Sequence, residues 1–259
     1  MPEAILLFVA AVLGGALNSV AGGGSFITFP ALISAGVPSI NASATNTLAL
    51  WPGSVASVGA YRNEVTKWDT RLMILLIVMS ILGGFVGAEV LLQTPKETFD
   101  KLIPFLLLAA VLLFTYGGSI AKLIRERVSK GNFKGGILLV VAVAVLQFFI
   151  SVYGGYFGAG IGILMLASLA LTGMTNIHTM NGLKTVLASF INGMAMLRFI
   201  LAGSIYYPQA IVMLFGAILG GYGGAAYAQR LDPKLVRRFV IVVGFVMTAI
   251  FFYTTYLSG

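Results

Sequence analysis

Long apolar stretches, broken by short polar or glycine-rich ones, set the rhythm of this chain. A helix needs roughly 20 apolar residues to cross a hydrocarbon core. Stretches of that character fall at 4–21, 26–35, 42–60, 72–92, 102–120, 135–153, 161–171, 179–201, 211–228 and 236–256. The pattern predicts helices throughout, six of them crossing a bilayer unaided. The stretches 26–35 and 161–171 are too short, at about ten residues each. Both follow glycine clusters, Gly22-Gly23-Gly24-Ser25 and Gly154-Gly155-Tyr156-Phe157-Gly158-Ala159-Gly160. A short apolar segment after a glycine break reads as a half-helix or the return arm of a re-entrant hairpin. The first stretch lacks a basic leader and runs into glycine-rich sequence, so no cleavable signal peptide is expected.

Composition turns the pattern into a class. Of 259 residues, 59% are hydrophobic and 9% charged, against roughly 45–50% and about 25% in soluble domains. So few charges cannot coat a water-soluble protein of this size, and the excess apolar surface must face lipid. A soluble enzyme, a nucleic-acid module and a disordered chain are excluded. The chain has no cysteine, which removes disulfides, thiolate metal sites and cysteine nucleophiles. Its single histidine leaves almost nothing for a histidine-ligated metal. The expectation is an all-α polytopic transmembrane bundle with no cofactor and no enzymatic activity.

The two halves resemble each other. Ile81-Leu82-Gly83-Gly84-Phe85-Val86-Gly87-Ala88 recurs as Ile218-Leu219-Gly220-Gly221-Tyr222-Gly223-Gly224-Ala225, a displacement of 137 residues. The same displacement sets Gly23 on Gly160 and Gly36 on Gly173. Charge then orients the halves, because Lys and Arg concentrate in cytoplasmic segments. Placing Lys122, Arg125, Arg127, Lys130 and Lys134 inside, together with Arg230, Lys234, Arg237 and Arg238, also puts Arg62, Lys67 and Arg71 inside. Only Lys96, Lys101 and Arg198 fall outside. Equivalent loops then lie on opposite sides, which makes the repeat an inverted one, as in many secondary transporters. The expected organisation is a first membrane repeat over 1–120, a basic cytoplasmic linker over 121–134 and a second repeat over 135–259. Each repeat holds a glycine-broken or re-entrant hairpin plus three spanning helices. The net charge of +8 marks topology and meets lipid headgroups; nucleic acid is not an expected partner.

Charged groups within the bilayer call for an account. Lys184 stands in a stripe with Asn181, Ala188, Asn192 and Ala195, a spacing of three and four that makes one helix face. It either meets an anionic substrate or snorkels to the cytoplasmic interface. Ala42, Asn46, Ala49, Gly53, Ser57 and Ala60 make a second stripe, suited to helix packing or to the border of a pore. Asn46 is its candidate ligand, since an amide donates to an anionic oxygen. The glycine tips are a third candidate. Backbone N–H groups at Gly23, Gly24 and Gly160, with the Ser25 hydroxyl, open short helices whose positive ends favour anions. Close packing by the same glycines is the competing account. Glu89 and Arg198 read as interfacial residues, and His178 as a cap. The pairs Gly83/Gly87, Gly154/Gly158 and Gly220/Gly224 suit either packing within the fold or a homodimer.

The same motifs carry a family resemblance. Ala21-Gly22-Gly23-Gly24-Ser25-Phe26-Ile27-Thr28-Phe29-Pro30-Ala31-Leu32, Gly36-Val37-Pro38 and Ala42-Ser43-Ala44-Thr45-Asn46-Thr47 resemble the first signature of the sulfite exporter TauE/SafE family. Tyr156-Phe157-Gly158-Ala159-Gly160-Ile161-Gly162 and Asn181-Gly182-Leu183-Lys184-Thr185 resemble its second. The resemblance covers nearly the whole chain. It implies a bacterial inner-membrane carrier exporting a small sulfur-containing anion such as sulfite or sulfoacetate. The family often has serine where Asn46 stands, which leaves the substrate open. Together the readings name Gly23, Gly24, Ser25, Thr45, Asn46, Gly160, Gly162, Asn181, Lys184 and Asn192 as substrate-binding candidates. The alternatives are a carrier of another anion, such as thiosulfate or a carboxylate, and a non-transporting membrane scaffold.

Overall fold

The computed structural model describes residues 2–20, 23–60, 68–130, 137–174, 176–228 and 233–257. Of these, the side chains of 19–20, 57, 59–60, 121, 124–125, 127–130, 177–178, 222–228 and 233–237 lie outside the description. So do Ala21, Gly22, Arg62, Lys67, Lys134 and Arg230 entirely, and the His178 side chain.

Ten α-helices follow one another: α1 (Pro2–Val20), α2 (Ser25–Ser34), α3 (Ser39–Ala60), α4 (Thr70–Gln93), α5 (Lys96–Lys130), α6 (Ile137–Tyr156), α7 (Ile161–Leu171), α8 (Ile177–Leu201), α9 (Tyr207–Ala228) and α10 (Pro233–Phe252). A π-helical turn, Tyr253–Leu257, ends the described chain. Among the described residues five segments are long and apolar enough to cross a membrane: Thr70–Gln93, Lys96–Ile120, Ile137–Tyr156, Thr179–Leu201 and Arg238–Leu257. The sequence pattern promised six over the whole chain. The polar residues Asn41, Ser43, Thr45, Asn46, Thr47, Ser54 and Ser57 dilute α3, while α1 and α9 are described with their side chains only over Pro2–Asn18 and Tyr207–Gly221.

Local chemistry sets the ends. The Asp69 carboxylate accepts from the backbone N–H of Arg71 at 2.8 Å and of Leu72 at 3.3 Å, capping α4. Thr94, extended ahead of Pro95, stops it. The half-helices α2 and α7 both close on a left-handed glycine, Gly36 at φ 79° and Gly173 at φ 86°, a conformation glycine adopts without steric cost. These glycines are 137 residues apart, and the matching extends to whole helices: α1 to α5 in order correspond to α6 to α10.

Helix α5 has 35 residues, about 52 Å at 1.5 Å per residue. That exceeds a hydrocarbon core of about 30 Å. Residues 121–130, expected as part of a linker, continue this helix, and Lys122 and Glu126 pair along it at 3.8 Å.

The most extensive helix contacts are α1 with α9 and α4 with α6. Both are backbone against backbone. A Cβ on Gly87 would overlap the Val152 carbonyl oxygen and lie 2.8 Å from the Tyr156 nitrogen. One on Gly220 would overlap the carbonyl oxygen of Val12. One on Gly83 would come within 2.5 Å of the Phe148 carbonyl oxygen and of the Ser151 Cβ. These glycines are therefore spent inside the chain.

Candidate functional site

Where the half-helices meet α3, α5, α8 and α9, the chain encloses a cavity of about 220 Å³. Pockets for drug-sized ligands run to roughly 300–1,000 Å³, so this one suits a small solute. Its α8 wall is Asn181, Lys184, Thr185, Ala188 and Asn192, residues that share a face because they recur at three, four and seven. Helix α3 adds Asn46, Thr47, Leu50, Gly53 and Ser54. The start of α2 brings Ser25, and the start of α7 brings Gly160, Ile161 and Gly162. Asn18 of α1 and Phe157 of the glycine turn also reach it.

Lys184 is the single charged side chain among the lining residues. Its stem lies along the α7 N-terminus, where a Cβ on Gly162 would come within 3.2 Å of the lysine Cδ. No side chain caps that N-terminus, and Gly160 holds it in a left-handed conformation at φ 78°. An ammonium and a positive helix end therefore converge on one wall. The Asn18, Asn181, Lys184 and Asn192 side chains make no hydrogen bond or ion pair among the described residues. Three amides and a cation are thus left to face the cavity, with no carboxylate among the described lining residues to compete for the ammonium. An arrangement rich in donors with one positive charge has the chemistry to receive an anion.

Asn46 is buried and already engaged. Its Oδ1 accepts from the Thr28 hydroxyl at 2.5 Å, and its Nδ2 donates to Ser25 Oγ at 3.2 Å.

The structure brings Ser25, Asn46, Gly160, Gly162, Asn181, Lys184 and Asn192 together around the cavity. It places Gly23, Gly24 and Thr45 elsewhere. A Cβ on Gly23 would press on the Val240 side chain at 2.5 Å; one on Gly24 would overlap the Gly14 carbonyl oxygen. Both allow close helix approach. Thr45 is fully buried and accepts from the backbone N–H of Tyr206 at 3.1 Å. Glu89 and Arg198 pair with each other at 2.5 Å and tie α4 to α8. Sequence reasoning passed over Asn18, Thr47, Ser54, Thr185 and Phe157. For Asn18 a signal was present: it is the one amide in the first apolar stretch, and polar groups at such depth rarely lack a task.

Comparison with known proteins follows the geometry. A family profile described as sulfite exporter TauE/SafE matches residues 7–251. The probable membrane transporter protein YfcA of Escherichia coli strain K12 is 29% identical over 254 residues, covering 97% of this chain and 90% of its own. A probable membrane transporter protein of Haemophilus influenzae is 28% identical over 245 residues, covering 94% of this chain and 92% of its own. The probable membrane transporter protein ORF9 of a Sinorhizobium species is 28% identical over 244 residues, covering 92% and 87%. No solved structure gives a significant match. The profile runs from the first turns of α1 to the end of α10 and takes in both glycine tips. This chain belongs to the sulfite exporter TauE/SafE family and is a multi-pass membrane transporter.

Proposed function

We propose that this transporter carries a small sulfur-containing oxyanion, sulfite or an organosulfonate such as sulfoacetate, outward across the bacterial inner membrane. One observation carries the reading: among the described lining residues Lys184 is the only charged group, and its polar neighbours on the cavity are neutral amides and hydroxyls interspersed with apolar side chains such as Phe114, Phe157 and Ile163. The family's description as sulfite exporters supports the choice of anion. Export suits an anion energetically, since an inside-negative potential contributes about 2.3 kcal/mol per elementary charge per 100 mV. Carriage alone needs no membrane carboxylate as a proton site.

Thermal unfolding of the purified protein with sulfite, sulfoacetate, thiosulfate, taurine and acetate tests the substrate. Sulfite or sulfoacetate should raise Tm saturably, because a ligand that binds only the native state stabilises it. Equal stabilisation by acetate, or by none of these anions, would discard the sulfur-anion reading. Flux of the stabilising anion from proteoliposomes tests carriage.

The inverted orientation of the halves is part of the same reading, and α5 gives it a direct test. The chain has no native cysteine. In intact cells, a cysteine at Glu97 should react with an impermeant thiol reagent and one at Lys122 should not; both positions are exposed. Labelling at Lys122 alone reverses the topology.

A further inference from the structure

Thr28 is fully buried and stands outside the cavity wall, yet it begins a chain of polar contacts that ends there. Its hydroxyl lies 2.5 Å from Asn46 Oδ1 and 3.1 Å from the Gly24 carbonyl oxygen. A hydroxyl has one hydrogen to give, and the shorter contact takes it. With Oδ1 so occupied, Asn46 turns its Nδ2 to Ser25 Oγ, 3.2 Å away. Ser25 then receives a hydrogen bond from behind and keeps its own proton. It lies at the first position of α2 and lines the cavity.

We propose that Thr28 and Asn46 are positioning residues for anion binding: they polarise the Ser25 hydroxyl and aim its proton into the cavity. The inference rests on the anion reading above and deepens it by naming which hydroxyl donates. The order of donors matters. With the amide reversed, Asn46 Oδ1 takes the Ser25 proton and leaves serine lone pairs facing the anion, which repel it. Thr28 favours the observed order by donating to Oδ1 at 2.5 Å, a shorter contact than the 3.1 Å to the Gly24 carbonyl that its proton would make if the amide were reversed. Asn46 thus acts behind the ligand rather than on it, with its carbonyl and one amide hydrogen spent.

The test is the dissociation constant for sulfite, measured with the unliganded Tm, across a small set of variants. Thr28→Val keeps the shape and the methyl contact with Gly14 but has no hydroxyl. It should weaken sulfite binding by about fivefold to tenfold, the worth of about one hydrogen bond. Thr28→Ser should retain wild-type affinity. Ser25→Ala should lose a similar factor, and adding Thr28→Val to it should cost nothing more, as expected of residues acting through one group. Asn46→Ala supplies an independent route should Thr28→Val not fold, and its loss should likewise not add to that of Ser25→Ala. Additive losses, or wild-type affinity in Thr28→Val beside a weakened Lys184→Ala, overturn the relay and leave the anion site standing. Unaltered sulfite affinity in Lys184→Ala as well, or no sulfite binding by the wild type, overturns the site and the relay with it.

Discussion

Lys184→Ala should bind the transported anion roughly tenfold to hundredfold more weakly, the equivalent of about 1.5–3 kcal/mol for a hydrogen bond to a charged group. The unliganded protein should not pay for the change in stability. Lys184 makes no ion pair among the described residues, and a cation held in a partly dry cavity without a partner is itself unfavourable. Its Tm in detergent should therefore match or exceed that of the wild type, while the stabilisation added by sulfite shrinks. This pairing separates a binding lysine from a structural one, whose loss would lower Tm and leave the affinity of the surviving fraction intact. An unchanged dissociation constant would leave Lys184 a cavity-lining cation with no part in binding the anion.

The second large effect is on stability. Gly87→Ala and Gly220→Ala each set a methyl group into the backbone of a neighbouring helix, at Val152 and Val12 respectively. No flexible side chain is there to yield, so the helices must part along the seam. Overpacking of this kind costs typically about 1–3 kcal/mol and sometimes more. Each variant should melt well below the wild type, with no selective loss of affinity in what remains folded. Gly53→Ala is the contrast. Its methyl group would meet nothing within 4 Å, and alanine is favoured over glycine inside a helix by up to about 1 kcal/mol. Its Tm should hold or rise. A wild-type Tm for Gly87→Ala would mean that the α4–α6 seam is looser than its geometry.

The α8 face of the cavity was legible in the sequence because polar residues at helical spacing in an apolar segment have one physical reading: they turn away from lipid. Asn181, Lys184, Ala188 and Asn192 all line the cavity. The α3 stripe was harder. Ala42 and Ala49 lie in the packed core, and the cavity face is turned toward Asn46, Thr47, Leu50, Gly53 and Ser54. Small residues serve close helix packing and pore lining at the same spacing, so spacing could not choose between them. The glycine tips split for a similar reason. Gly160 is glycine for its left-handed backbone at φ 78° beside the cavity. Gly24, at φ −57°, is glycine because Gly14 leaves no room for a side chain. A sequence records the residue and not which of these two demands placed it there. Helix order, half-helix breaks and the 137-residue correspondence needed only periodicity and punctuation, and these the chain displays openly.

The two glycine seams constrain how this molecule can change shape. Side chains can trade one packing for another, but two backbones in contact have no second arrangement to adopt. Helices α1 and α9 must therefore travel as one piece, and so must α4 and α6. Each piece joins one helix from the first half of the sequence to one from the second. The halves related by the repeat are consequently not the moving parts, and hinging of the first half of the chain against the second would tear both seams. Freedom is left where contacts run through side chains, as between α3 and α8, where the Trp51 indole donates to the Ser189 carbonyl at 3.0 Å. That junction carries both polar walls of the cavity, so a slip along it would reshape the binding surface and its access in the same stroke.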